Sequence, residues 1–166
     1  MKPIIRAALG GLAAVLVSTV TAAEKPCYGR LRAERTMSRA GTTDGGPVEM
    51  AARPGSEADR LARQLMGREI ARARADEPDP LVLVGMARLN DADELLFVQL
   101  QSSGECGSAG CSTVSFRYAG GRWVKILDTV GGTVRIAASH HRGMPDLIVE
   151  DGNRLIWDGT KYGDAG

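Results

Sequence analysis

Two adjacent histidines are the first candidates for metal binding or catalysis in this sequence, because imidazole is a common metal ligand and general base. His140 and His141 are the only histidines in the chain. Neighbouring residues of an extended segment point to opposite sides, so the pair is poorly placed to hold one metal ion. A metal site would have to recruit carboxylates such as Asp146 or Glu150. We therefore predict no metal and no cofactor, and interpret residues 140–145 as a loop.

Nucleophilic and acid–base catalysis find no better support in the residue pattern. The serines near Cys106 do not lie on the strand–turn–helix elbow that presents a nucleophile. The glycine-rich loops lack the Lys-Ser/Thr ending of a phosphate-binding loop. Four acids lie at the ends of predicted strands: Asp128, Asp146, Glu150 and Asp158. Two of them could form a glycosidase-like carboxylate pair, or all four could be ordinary turn residues. We predict no catalytic residues, and a metal-dependent or carboxylate hydrolase remains the third hypothesis.

The first 23 residues have the composition of a secretory signal peptide. Lys2 and Arg6 precede an apolar run over residues 7–17, and small residues follow it. Removing residues 1–23 leaves 19 basic and 20 acidic side chains, a balance that gives no reason to expect nucleic acid or an anionic membrane as a partner. We expect a soluble periplasmic protein that is not inserted in the membrane after signal removal.

The three cysteines suggest one disulfide in an oxidising compartment. Cys106 and Cys111 flank a short glycine-rich loop that could bring their β-carbons into bonding range. In the alternative, Cys27 pairs with one of them and ties the N-terminal segment to the domain. Zinc is disfavoured because no second pair of cysteines or histidines stands at ligand spacing.

The secondary structure predicted for the segments that position these residues differs along the chain. Residues 24–55 are poorly patterned and are predicted to be irregular. Ser56 is the expected N-cap of one amphipathic helix within residues 56–77, with an apolar stripe at helical spacing. Its five arginines form either a solvated face or a surface for an anionic partner.

From residue 78 to 166 the pattern is that of short strands separated by turns. Seven segments are predicted as strands: residues 81–84, 95–98, 114–118, 123–127, 134–136, 147–149 and 155–157. Their spacing predicts a mainly β fold, an antiparallel meander, propeller-like or sandwich sheet of about seven strands, preceded by the helix.

Three motifs occur together in this β region: the loop closed by Cys106 and Cys111, Gly143-x-x-Asp146-Leu147, and the closing residues 157–162. Over residues 81–162 their order resembles small periplasmic proteins of Gram-negative bacteria that are similar to lysozyme inhibitors. Some of those proteins act as immunity proteins against secreted cell-wall hydrolases.

The resemblance implies a β-rich domain that plugs the active-site cleft of a peptidoglycan-degrading enzyme with exposed loops. The disulfide then falls on Cys106 and Cys111, and the closing motif falls on Gly159 and Tyr162. Tyr162 would be the projecting side chain, since tyrosine offers a large contact area at little entropic cost. The other interpretation makes Tyr162 a core or edge aromatic of the last strand.

We therefore expect an exported inhibitor of a cell-wall hydrolase. The candidate partner-binding residues are Tyr162, Gly159, Trp157, His140 and His141, together with loops 106–111 and 140–145. The alternative function is a generic periplasmic binding or envelope module with another ligand. Some relatives carry acidic calcium-binding loops, of which this chain has only a fragment at residues 151–153.

Overall fold

The fold is mainly β, as predicted, and is built from two antiparallel sheets with two helices. The computed structural model describes residues 46–89, 93–108, 110–130, 132–149 and 152–165. The predicted signal peptide, Cys27 and most of the predicted irregular segment lie outside the described residues. No helix within the described residues is long and apolar enough to cross a membrane.

Twelve elements follow one another within the described residues: β1 (Ala51–Ala52), α1 (Glu57–Leu65), α2 (Gly67–Asp76), β2 (Leu81–Arg88), β3 (Glu94–Gln101), β4 (Cys106–Gly107), β5 (Gly110–Ala119), β6 (Arg122–Val130), β7 (Arg135–His141), β8 (Met144–Ile148), β9 (Arg154–Trp157) and β10 (Tyr162–Asp164). All seven predicted strands are present, as β2, β3 and β5–β9. The three additional strands are only two or three residues long, too short for a recognisable alternation of apolar and polar residues.

The strands form two separate sheets. One has six strands, in which β1, β2, β3, β5 and β6 are neighbours in that order and β4 pairs with the start of β5. The other has four strands in the order β10-β9-β8-β7. Gly120 and Gly121 both adopt positive φ in the turn between β5 and β6.

The predicted helix begins as expected, because the hydroxyl of Ser56 accepts a hydrogen bond from the Asp59 amide at 3.1 Å. A single helix was nevertheless the wrong prediction. The chain leaves helical geometry at Met66 (φ −108°, ψ 25°) and α2 starts at Gly67. Glycine has a low helix propensity, so this position is a weak point in the helix.

The core has two layers, one on each side of the six-stranded sheet. Leu96, Val98 and Leu100 of β3 belong to the cluster that includes the helices. Leu95 and Phe97 belong to the cluster that includes the four-stranded sheet. Because alternate residues of a strand point to opposite faces, β3 is buried on both. This double burial explains why its sequence is continuously apolar.

Part of the predicted irregular segment is instead extended and paired. Pro47 forms a bridge with Arg135, and the amide of Val48 donates to the carbonyl of Val134 at 2.8 Å. Ala51 then pairs with Val84 in the other sheet. Residues 46–52 therefore join the edge of the four-stranded sheet to the edge of the six-stranded sheet.

Candidate functional site

Cys106 and Cys111 form a disulfide, which confirms this predicted pairing. They are direct cross-strand partners in the small hairpin of β4 and β5, with Cα atoms 4.0 Å apart. Gly110 adopts positive φ (96°) beside the bridge and lets the chain reverse. The bridge therefore closes a tight loop at the end of the six-stranded sheet.

Tyr162 and Trp157 are core residues, not projecting ones. Their exposed fractions are 6% and 5%. They are cross-strand partners in β10 and β9, and their rings meet edge to face with centroids 5.4 Å apart. The hydroxyl of Tyr162 donates to the carbonyl of Pro145 at 2.6 Å. The prediction that Tyr162 projects from the surface is therefore wrong. Tyr162 is a core aromatic, as in the other interpretation of the sequence.

Burial, together with the nearby charge of Asp146, raises the pKa of Tyr162 above its ordinary value. Arg117 of β5 lies over the Trp157 ring, with its guanidinium carbon 5.6 Å from the centroid, and pairs with Asp93 at 2.6 Å. This contact links the two sheets through a cation–π interaction. The sequence gives no signal for it, because the partners are far apart in the chain.

The segment predicted as a loop over residues 140–145 is a tight β-hairpin. His140 and His141 end β7, and they pair with Pro145 and Met144 of β8. Only Arg142 and Gly143 form the turn, with φ of 49° and 83°. Positive φ at both turn positions is the geometry of a type I′ hairpin, whose twist matches that of the strands. The loop prediction failed because arginine and proline are both poor indicators of such a hairpin.

Residues 158–161 form a second exposed turn, organised by the carboxylate of Asp158. This carboxylate accepts hydrogen bonds from the amides of Thr160 and Lys161 and from the Thr160 hydroxyl, at 2.7–2.8 Å. These bonds, with the Lys161 amide contributing most, lower the pKa of Asp158 to about 2. Gly159 has φ of 112°, a conformation that side-chain-bearing residues rarely adopt.

A hydrogen bond ties the two turns together. Nη1 of Arg142 donates to the main-chain carbonyl of Asp158 at 2.6 Å. A Cβ atom on Gly159 would lie 3.6 Å from the same nitrogen. We call residues 140–143 and 158–161 the tip surface. It brings together three of the predicted partner-binding residues, His140, His141 and Gly159, and leaves Trp157 and Tyr162 in the core.

A charged cluster centred on Asp146, whose side chain has no exposed area, adjoins the tip surface and shares His141 with it. One carboxylate oxygen accepts from Ser139 Oγ at 2.5 Å, and the other contacts His141 Nδ1 at 2.6 Å. Arg154 Nη1 lies 3.6 Å from the carboxylate and donates to Ser139 Oγ at 3.1 Å. We call these four residues the Asp146 cluster.

The carboxylate of Asp146 is ionised. Burial raises its pKa, but hydrogen bonds from Ser139 and His141 and the charges of His141 and Arg154 outweigh burial and hold the pKa below its ordinary value. A carboxylate only accepts hydrogen bonds, so Nδ1 of His141 must carry a hydrogen. The other ring nitrogen, Nε2, is then the atom available for external contacts.

The Asp146 cluster contains the residue types of a serine hydrolase but not their arrangement. In a triad the serine bonds to the histidine, whereas Ser139 bonds to the carboxylate. His140 turns away from the cluster, with Nδ1 2.8 Å from the carbonyl of Ala138. The described residues contain no group of three or more His, Cys, Asp or Glu that could hold a metal ion.

Sequence reasoning missed Ser139, Arg154 and Lys161 as members of the site, whereas Arg142 lies in the predicted binding loop over residues 140–145. Ser139 and His141 stand two apart on one strand, a spacing that places both side chains on one face. This spacing was the only sequence signal that the two side chains lie together. It points to a site only when β8, which carries Asp146, is known to pair with β7.

Comparison with known proteins adds no relative, since no protein-family model, curated protein or solved structure matches the chain.

Proposed function

We propose that the protein is an exported periplasmic inhibitor that binds a peptidoglycan-degrading enzyme of the lysozyme type. The tip surface, and not Tyr162, makes the contact with the enzyme. The observation that carries this proposal is the hydrogen bond from Arg142 to the carbonyl of Asp158 at 2.6 Å, which joins two turns into one exposed surface.

The tip surface has the rigidity that a cleft-binding element needs. Its first turn is a two-residue hairpin, and its second is fixed by three hydrogen bonds to the carboxylate of Asp158. The bond from Tyr162 to Pro145 supports the hairpin from within the core. A segment already held in its bound shape loses little conformational entropy on association, which favours affinity.

Its charge also fits the proposed target. Arg142 and Lys161 place positive charges at the exposed end of the sheet, and His140 and His141 add ring nitrogens beside them. The only carboxylate of the tip surface, that of Asp158, is turned towards its own backbone. Glycoside hydrolases of the lysozyme type carry a pair of carboxyl groups that flank the scissile bond. A basic, donor-rich surface is electrostatically complementary to such a cleft.

The test is inhibition of peptidoglycan lysis by a panel of lysozymes and related hydrolases, combined with a binding measurement on each enzyme. Arg142→Gly is the informative variant, because glycine accepts the positive φ of the turn while the guanidinium is lost. Lys161→Glu reverses a second charge. Arg135→Ala removes an exposed arginine at the far end of β7 and is the matched control.

We expect stoichiometric inhibition by the wild-type protein and by Arg135→Ala. Arg142→Gly and Lys161→Glu should each weaken binding about tenfold, the loss expected for one charge-assisted hydrogen bond. Inhibition that neither variant weakens would move the contact away from the tip surface. Absence of any complex across the panel would favour the alternative, an envelope-binding module with another ligand.

A further inference from the structure

We propose that His141 and Arg154 form a binding site for a carboxylate group, supplied either by a polypeptide side chain or by a free carboxylic acid. The site is part of the Asp146 cluster. It does not depend on the identity of the enzyme that the tip surface binds, and it can be tested with small acids alone.

Both residues are held from behind by one buried carboxylate. Asp146 is fully buried and contacts His141 through one oxygen and Arg154 through the other. The side chains of His141 and Arg154 remain 47% and 50% exposed. The buried carboxylate holds the two exposed side chains in place, so little conformational entropy is lost when a ligand binds them.

Each residue keeps donor atoms for a ligand. His141 uses Nδ1 towards Asp146, which leaves Nε2. The contacts that Arg154 makes with the described residues use Nη1, which leaves Nη2 and Nε. A guanidinium group is planar and binds carboxylates in a forked geometry, so Arg154 can present its remaining edge to a second carboxylate.

The charges indicate a compact anion with a single negative charge. With His141 doubly protonated, the two cations and the carboxylate of Asp146 leave one net positive charge. Nitrogen donors dominate the exposed side, while the one carboxylate lies behind them, and this arrangement disfavours a metal cation. A monoanionic carboxylate matches both the charge and the donors.

To donate a hydrogen bond to a carboxylate ligand, the His141 ring must carry a hydrogen on both nitrogens, because Nδ1 already faces Asp146. With Nδ1 occupied, Nε2 donates a hydrogen bond only when the ring is doubly protonated. Of the groups that face this ring, Asp146 stays ionised because its pKa is lowered, and Arg154 stays charged. Tyr162, which faces Asp146, stays neutral because its pKa is raised. A carboxylate is therefore expected to bind the form of the protein in which both nitrogens of the His141 ring carry a hydrogen.

The experiment is an NMR titration of the two imidazole rings with sodium acetate at constant ionic strength, with chloride as the exchanged anion. Constant ionic strength removes general screening effects. His140 is an internal control, because the chain contains no third histidine and its ring is turned to Ala138. We expect a saturable shift of the His141 Nε2 signal in the millimolar range and no saturable shift for His140. Equal shifts for both rings, or none for His141 at a pH where its NMR signals show hydrogens on both ring nitrogens, would overturn the proposal.

Variants and two further probes sharpen the test. Arg154→Gln should weaken the response about tenfold, while Arg135→Gln, which alters an arginine outside the Asp146 cluster, should leave it unchanged. N-acetylmuramic acid, compared with N-acetylglucosamine, tests a cell-wall sugar acid as the source. N-acetylglutamic acid amide tests a polypeptide side chain. A response to either acid supports the site and identifies its source, whereas an undiminished response in Arg154→Gln contradicts the role of Arg154.

Discussion

The hydroxyl of Tyr162 donates a hydrogen bond to the carbonyl oxygen of Pro145 at 2.6 Å, and both residues are buried. Tyr162 lies in β10 and Pro145 in β8, with β9 between them in the sheet. The bond therefore reaches across one strand and fixes the hairpin that carries the tip surface. Tyr162 supports this surface from the core and does not contact a partner itself. Its substitution should therefore change the stability of the protein and not its binding.

Replacing Tyr162 with phenylalanine removes this hydrogen bond while keeping the ring in the core. We expect the free energy of unfolding to fall by about 1–3 kcal/mol, because the buried carbonyl of Pro145 loses its partner. Urea denaturation measures this change. Tyr118→Phe is the control, since Tyr118 is half-buried and contacts Trp123 through its ring. An equal loss in both variants would contradict a specific role for the bond to Pro145.

Tyr162→Ala is less informative as a test of binding. Removing a buried aromatic side chain costs about 3–5 kcal/mol of stability, which endangers the whole fold. Tyr162→Phe keeps the packing, so a partner that binds the tip surface should still bind this variant where it remains folded. Retained inhibition by folded Tyr162→Phe is the expected result in the lysis assay. Lost inhibition in a folded variant would assign the hydroxyl a direct role.

The seven longer strands, β2, β3 and β5–β9, were predictable because each carries its own local signal. The alternation of Val114, Phe116 and Tyr118 indicates a strand with one buried face, and the glycines at 120 and 121 indicate the turn that follows. The run over residues 95–98 lacks alternation and was still recognisable from its length and β-branched or aromatic residues. It lacks alternation because β3 is buried between two layers.

The candidate site was less predictable because it depends on register between strands. A shift of one residue in a strand moves every side chain to the opposite face, and a three-residue strand such as β10 carries no pattern that fixes its register. The placement of Tyr162 in the core follows from that register. The Asp146 cluster likewise depends on the pairing of β7 with β8, which contains an irregularity between Ile136 and His140.

Gly85 allows residues 48–50 to lie close against β2, and we expect Gly85→Ala to destabilise the protein. A Cβ atom there would lie 2.8 Å from Val48 Cγ1 and 2.9 Å from the carbonyl oxygen of Glu49. Relieving these contacts requires a backbone shift, with an expected loss of about 1–3 kcal/mol in the free energy of unfolding. Chemical denaturation measures the loss.

Gly163→Ala is the matched control for Gly85→Ala. Gly163 also lies in a strand, but a Cβ atom there would meet nothing within 4 Å. We expect little change or a slight gain in stability, since alanine restricts the unfolded chain. If Gly85→Ala proves as stable as Gly163→Ala, residues 48–50 do not constrain β2 in the way that the structure indicates.

The disulfide should contribute modest stability, because it closes a ring of only five residue steps. We expect the double variant Cys106→Ser/Cys111→Ser to lose about 2 kcal/mol, the chain-entropy value for a loop of this size. Guanidinium chloride denaturation measures the difference. Reductant should lower the midpoint of the wild-type protein and leave that of the double variant unchanged. A midpoint that still responds in the double variant would point to an intermolecular disulfide through Cys27, the one remaining cysteine.

The turn at residues 158–161 should depend on pH only in strong acid. The pKa of Asp158 is lowered from 3.8 to about 2 by hydrogen bonds from Lys161 and Thr160. Because the folded pKa lies below the unfolded one, the contribution of Asp158 to stability is fully present above pH 3.8. It is lost as the pH falls through about 2.

The amide proton shifts of Thr160 and Lys161, followed by NMR, should therefore change with a midpoint near this lower value. Asp158→Asn, which keeps an acceptor oxygen but does not titrate, should abolish the transition. A midpoint near the ordinary carboxyl value in the wild-type protein would show that the hydrogen bonds to Asp158 do not persist in solution, and the second half of the tip surface would then lack its proposed rigidity.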